Sequence, residues 1–561
     1  MHGQSMHGQS MHGHLSVSDF EKASPTFELF DNGAFQPPHD ARPAFCTFEG
    51  VLTVDETMMS TDPETLTVPS AFGKDLRLFP AFEIGFLSTD GELIPANQDL
   101  TARPGASYWE VIVQPGKVWS ENGDGDWSRG SFPFALVSRI DGNTHNGVAT
   151  FVYRENAISS LRYQIVQQTA PLSLPDKFLA SGALKARYRA APLGNRDELI
   201  TEFRKFEKMR LRTRPWSDLA ELTGSAKIHD FDSDILPEKL VADALLVGET
   251  LYVKSAATPA GELPYAGRQR FGVWSITKTA ALGVAILRIA QQFDREIFTK
   301  RVSDFVAEAR AFPGWVDVTF GDAYTMAAGL GYGSDDPQNG AMEPYDGVYL
   351  DWYSAQSWSA KMNHMFRNTN LYSWGPGKVV RYRDEEMFFL ALGLDAYVKQ
   401  QLGPDEDIWS YLTREVYNPL EIQVLPTSRT VEQDLKTGVP YMGYGMYPTL
   451  EDLAKIAKLY LNEGEWNGNQ LLPRDIVREL LAGKEPRGYR TYWSKFPYYY
   501  RTFWYAAHQW RGELTYVPCM SGYGGSVVAL LPNGVVALRI ANSIDATDDV
   551  VKMQSFLDVE L

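Results

Sequence analysis

The chain has 561 residues, more than one hydrophobic core normally supports, so two to four folded units are expected. Apolar residues make up 44% and charged residues 22%, which excludes collagen-like, coiled-coil and largely disordered chains. With 53 Lys and Arg against 70 Asp and Glu the net charge is −17, a balance that repels phosphate backbones and anionic lipid, so no nucleic acid is expected as a partner.

The chain opens on repeats of Met-His-Gly-Gln-Ser, with neither the basic nor the apolar region of a signal peptide. Residues 1–20 are therefore read as a disordered repeat leader or tag, and His2, His7, His12 and His14 are set aside. As written the protein is expected in the cytoplasm, with export left open if such a leader replaced a signal. From 21 to 215 the chain is broken into short apolar and aromatic runs by Gly, Pro, Asn and Asp, with strands expected at 108–113, 134–137, 148–153 and 161–166. This predicts an antiparallel β domain, a sandwich or barrel. A charged helix is expected at 197–210 and a linker at 212–216.

A second unit, 216–561, mixes strand and helix. Residues 242–247 and 249–253 read as paired strands, and 275–293 as a helix. Within that helix 280–290 is apolar nearly all round except for Arg288, the pattern of a helix inside a core. Near the C-terminus 526–531 and 535–540 flank Pro532-Asn533-Gly534 and read as a hairpin. No apolar run approaches the roughly 20 residues that cross a bilayer, so no membrane span is expected. Cys46 and Cys519 are the only cysteines, so at most one disulfide and no four-cysteine zinc site can form.

The sharpest chemical signal is Ser275-Ile276-Thr277-Lys278 at the start of the apolar helix. Positions i and i+3 share a helical face, so the Lys278 amine can reach the Ser275 hydroxyl. Burial and the positive helix end both favour a neutral amine, which can take the serine proton. No Gly-x-Ser-x-Gly elbow, phosphate loop, dinucleotide fingerprint or His-Glu-x-x-His occurs, so no metal and no organic cofactor is implied.

Further blocks follow in order: 318–330, with Met326-Ala327-Ala328-Gly329; the turn Pro376-Gly377 ahead of Tyr382-Arg383-Asp384; 443–453 and 459–471; and Ser521-Gly522-Tyr523-Gly524-Gly525. From about residue 240 to the end this series resembles the serine β-lactamase and penicillin-binding protein-like superfamily, in its class C-like branch of family VIII esterases and 6-aminohexanoate-oligomer hydrolases. The resemblance implies an antiparallel sheet between helices plus a helical subdomain. The expected fold class is thus multidomain α+β, with an N-terminal antiparallel β domain ahead of a β-lactamase-like domain.

The resemblance also implies roles. Tyr382 is the phenol that shares the proton with Lys278 and passes it to the leaving group, with Tyr372-Ser373 a lesser match to the same short pattern. Asp384 stands where the family has Asn or Ser; a carboxylate there would repel an anionic substrate and could orient an amine or Arg383. Lys436-Thr437-Gly438 copies the third motif but lies too early and is read as a decoy. Its positional equivalent, Cys519-Met520-Ser521-Gly522-Tyr523, has no cation. Backbone amides of Ser275 and of Ser521, Gly522 and Tyr523 could still form an oxyanion hole, since that role needs no side chain.

Aromatic stretches at 345–353 and 489–510 are expected to line a substrate pocket, to pack between units or to line an oligomer contact. The reading is a serine hydrolase acting on a small-molecule ester or amide, esterase or amidase ahead of β-lactamase, with a homo-oligomer left open. The alternatives are a catalytically silent binding or sensor protein and an N-terminal domain that carries the function itself.

Overall fold

In the computed structural model the described residues are 13–21, 27–62, 66, 68–138, 140–174, 176–344, 347–432, 438–543 and 556. The architecture is mixed α+β and rests on two large sheets of twelve and nine strands. The twelve-stranded sheet is antiparallel, with Ser128–Val137 pairing Thr144–Arg154 and that strand pairing Leu161–Gln168 at its centre. All ten residues of Ser128–Val137 are buried, because both faces of the sheet are covered. One face carries an aromatic core that includes Phe48, Phe132, Phe151 and Tyr153. On the other, Val148, Val152 and Val166 meet Phe35 together with Ala260 and Leu263 from the second unit.

The predicted strand centres fall inside Glu110–Val113, Ser128–Val137, Thr144–Arg154 and Leu161–Gln168. The charged helix is Arg196–Lys208.

The nine-stranded sheet runs in the order Arg212–Pro215, Thr250–Ser255, Leu240–Val247, Val536–Ala541, Ser526–Leu530, Glu513–Gly522, Phe503–Trp510, Tyr498–Tyr500 and Tyr489–Arg490. Early and late parts of the unit thus share one sheet, with Leu240–Val247 antiparallel to Val536–Ala541. The C-terminal hairpin forms as expected, Leu530 opposite Val536. Arg212–Pro215, expected as a linker, is instead the edge strand and pairs in parallel with Thr250–Ser255. A short strand with largely exposed side chains looks like linker in composition; what makes it a strand is the open backbone edge beside it.

Helix Leu450–Leu461 packs against this sheet, its first turn closed by a capping box between Thr449 and Asp452. The apolar segment from residue 275 is buried as its pattern requires, and Arg288 escapes by pairing with Glu415 at 3.0 Å. Its first part departs from a regular helix: Lys278–Gly283 is π-helical and the α-helix proper is Val284–Gln292. Both cysteines are free; burial pushes the Cys519 thiol up to about 12, which leaves it inert as a thiolate. Among the described residues no helix is long and apolar enough to cross a membrane.

The two units press together beside the site. A Cβ on Gly272 would stand 2.1 Å from the Gly142 carbonyl oxygen and 2.6 Å from Asn143 Cα, both backbone atoms of the first sheet's loop. Gly272→Ala should therefore lower the unfolding free energy by about 1–3 kcal/mol through overpacking, seen as a lower urea midpoint at an unchanged slope. A midpoint equal to that of the wild type would mean that the two stretches are not in contact.

Candidate active site

Ser275 lies in the turn that leads into the buried helix. The winding is tight: Ile276, Thr277 and Lys278 N–H donate to the carbonyls of Val273, Trp274 and Ser275 at 3.2, 2.9 and 3.0 Å. Trp274 is left-handed, with φ of 48°, a conformation that costs a non-glycine residue about 1–3 kcal/mol and persists only where the surroundings enforce it. Here its indole N–H donates to the Ala170 carbonyl at 2.9 Å, and its ring meets Tyr523 edge-on at 5.4 Å. The backbone directly ahead of Ser275 is thus braced from the first sheet. The π-helical turn that follows is wider than an α turn, and Lys278 stands on its first residue.

Lys278 Nζ donates to Ser275 Oγ at 2.5 Å and to the Gly443 carbonyl at 3.0 Å, and it forms a buried ion pair with Asp384. It also stands 4.8 Å from the centre of the Tyr382 ring. Burial holds the amine below the ordinary lysine value, while Asp384 and then Glu385 pull it back up. Tyr382 is buried as well; burial and the Asp384 charge push its phenol well above the ordinary value, and hydrogen bonds to Ser275 and Trp504 act the other way.

Three contacts fix the segment that carries Tyr382. Gly377 N–H donates to the Ala327 carbonyl at 2.7 Å, Arg381 N–H to Met326 at 2.8 Å and Tyr382 N–H to Ala341 at 2.6 Å. The block at 318–330 therefore acts as a cradle for the Pro376-Gly377 turn. A Cβ on Gly329 would lie 2.3 Å from the Gly375 carbonyl carbon, so only glycine allows this approach. On its other side the Tyr382 ring packs on Trp504 at 5.0 Å and Tyr499 at 5.9 Å. Part of the 489–510 aromatic stretch thus packs the phenol in place.

Asp384 is brought to Lys278 and not to Arg383. Its second carboxylate oxygen accepts from the phenols of Tyr349 and Tyr353, both on helix Gly347–Ser354. Lys361, on helix Trp358–Asn368, caps that helix by donating to the carbonyls of Trp352 and Tyr353 at 2.9 and 3.1 Å. Burial brings Lys361 down to about 7. Arg383 pairs instead with Glu386 at 3.4 Å, and its guanidinium lies over the rings of Trp315 and Tyr332. Burial raises Glu385 to about 7 and Glu386 to about 8, with Arg383 opposing.

Ser521 and Gly522 end strand Glu513–Gly522, opposite Val527 and Ser526. A Cβ on Gly522 would stand 2.3 Å from the Val273 carbonyl oxygen, so this strand end lies against the backbone just before Ser275. Tyr523 follows with its ring on Trp274. Tyr372 is elsewhere, donating to Glu343 at 2.5 Å. Lys436 and Thr437 fall outside the described residues, as does Tyr345 of the first aromatic stretch. Among the described residues no group of His, Cys, Asp or Glu is placed to hold a metal ion.

Tyr349 and Tyr353 belong to the 345–353 aromatic stretch, and Lys361 stands in no motif of the sequence. The available signal was the Tyr349-x-x-x-Tyr353 spacing, which sets both phenols on one helical face.

No family model and no curated relative matches the chain. Solved structures do. A putative 6-aminohexanoate-dimer hydrolase from Bacillus anthracis is similar at 17% identity and a TM-score of 0.42, over 57% of this chain and 78% of that one. A D-stereospecific amidohydrolase from Streptomyces sp. gives 14% and 0.41, over 60% and 98%. A class C β-lactamase gives 15% and 0.40, over 60% and 97%.

The buried carboxylates carry a pH signature. Glu385 and Glu386 start from 4.5 and reach about 7 and about 8 in the fold. Between those values the folded state holds the extra protons, so their contribution to stability is present at low pH and is lost as pH rises through 7–8. Glu385→Gln removes one share of that loss. In denaturant melts its stability relative to wild type should improve by about 1–3 kcal/mol between pH 5 and pH 8.5; a constant difference would show that Glu385 is charged throughout.

Proposed function

We propose that the chain is a serine hydrolase that cleaves an ester or amide bond through an acyl-serine intermediate, with 216–561 as the hydrolase unit and 21–215 as a β-rich unit beside it. The observation that carries the reading is the 2.5 Å approach of Lys278 Nζ to Ser275 Oγ in a buried setting, with the Tyr382 ring 4.8 Å from the same amine. In its neutral form Lys278 takes the serine proton as Oγ bonds to the substrate carbonyl carbon. Tyr382, coupled to the same serine, hands a proton to the departing alcohol or amine, and is recharged from Lys278. Water then enters by the reverse relay and frees the acid. The negative oxygen of each tetrahedral intermediate is held by backbone N–H groups of Ser275 and of the strand end at Ser521, Gly522 and Tyr523.

Two features favour esters and amides over β-lactams. Cys519 to Tyr523 offers no cation for a β-lactam carboxylate, and the carboxylate paired with Lys278, Asp384, adds negative charge beside Ser275 whenever that amine is neutral. Esters are the first substrate class, short amides or amino-acid-derived oligomers the second.

The test is intact mass after brief exposure to a fluorophosphonate, with p-nitrophenyl acetate turnover followed in parallel. Wild type should gain one adduct and turn over ester. Ser275→Ala should gain none and lose about 10³-fold or more in kcat/KM, with large losses for Lys278→Met and Tyr382→Phe. An unlabelled, inert wild type would overturn the reading in favour of a silent binding protein.

A further inference from the structure

We propose that Asp384, together with the phenols of Tyr349 and Tyr353, is a positioning device that governs when Lys278 takes the Ser275 proton; this rests on the reading of Ser275 as the nucleophile. The two oxygens of the Asp384 carboxylate have different partners. Oδ1 accepts from Lys278 Nζ, whereas Oδ2 accepts from both tyrosine hydroxyls, and all four side chains are buried. The phenols come from one face of a single helix, with ring centres 5.1 Å apart. Lys361 fixes the end of that helix, and Asp384 is itself the first residue of helix Asp384–Leu402.

The physical consequence follows from how charge divides within one carboxylate. Each phenol hydrogen bond draws negative charge toward Oδ2, which leaves less on Oδ1 to hold a proton on Lys278. In a buried site such differences are weakly screened. Without the carboxylate, the ammonium formed when Oγ loses its proton would have no counter-charge. Without the phenols, the carboxylate would hold Lys278 as an ammonium, which cannot accept the serine proton. The carboxylate–diphenol set lies between these extremes. Tyr349 and Tyr353 are thus positioning residues that act through Asp384.

Other groups face the pair. The Gly443 carbonyl, the Tyr382 ring and Glu385 face Lys278. The charge of Asp384 also reaches Tyr332, Tyr444, Tyr499 and Lys361. Because Glu385 and Lys361 titrate near 7, the readout has to be specific to Lys278.

The experiment uses the full chain with lysine labelled by ¹⁵N at Nζ, the Lys278 signal being identified by its loss in Lys278→Met. Its titration is followed in wild type, Asp384→Asn, and Tyr349→Phe with Tyr353→Phe, beside the acidic limb of the kcat/KM profile. Asp384→Asn should move the Lys278 titration and the limb to lower pH by about one unit or more, with a lower plateau. The double phenylalanine variant should move both to higher pH by about half a unit or more. Opposite shifts are the expected result. Shifts in the same direction, or a Lys278 titration unmoved in either variant, would overturn the proposal, since a merely structural role changes the plateau alone. If fluorophosphonate fails to label the wild type, the hydrolase reading falls, while the ¹⁵N titration still decides whether Asp384 and its phenols set the state of Lys278.

Discussion

A lysine amine enclosed by protein next to a serine hydroxyl is the constraint on which the rest of this site depends. An ammonium taken out of water costs several kcal/mol even after relaxation, unless a counter-charge and hydrogen-bond acceptors surround it. Around Lys278 the acceptors are Ser275 Oγ, the Gly443 carbonyl and Asp384. Each comes from a different part of the chain, so the demand of one side chain brings three stretches of sequence together. The carboxylate then needs donors for its second oxygen, which recruits helix Gly347–Ser354, and that helix end recruits Lys361.

The same logic explains the acidic start of helix Asp384–Leu402. Asp384, Glu385 and Glu386 occupy its first turn, where the positive end of the helix favours negative charge. All three are buried, and the cations they meet are buried too: Lys278 at Asp384, Arg383 at Glu386. Glu386 further accepts from the Ala328 N–H at 3.1 Å. The turn that cradles the Tyr382 segment is therefore tied to the charge cluster that faces Lys278. The segment that carries Tyr382 and the carboxylate beside Lys278 are in this way joined through one helix start.

Much of this was legible in the chain. That Ser275, Lys278 and Tyr382 lie close together could be read because their spacing and neighbouring turns are local patterns. The buried helix and the C-terminal hairpin could be read because burial leaves a periodic signature. Asp384 stood out as a departure from a familiar pattern, although its partner could not be chosen between an amine and Arg383. Its contacts with Tyr349 and Tyr353 depend on how two helices meet, which no local pattern encodes. The strand at Arg212–Pro215 was missed for a similar reason, since its pairing is decided by a neighbour some forty positions on. The π-helical turn at Lys278–Gly283 has an unremarkable sequence for a helix, so its wider winding left no local signal.

The first unit bears on the site through its backbone. Trp274 adopts a left-handed conformation that a tryptophan would otherwise avoid, and the residues that hold it there include Ala170 and the loop at Gly142. The strain stored at one residue is sustained by packing between the two units. The N-terminal unit thus bears on the site through its contacts with the residue directly ahead of Ser275.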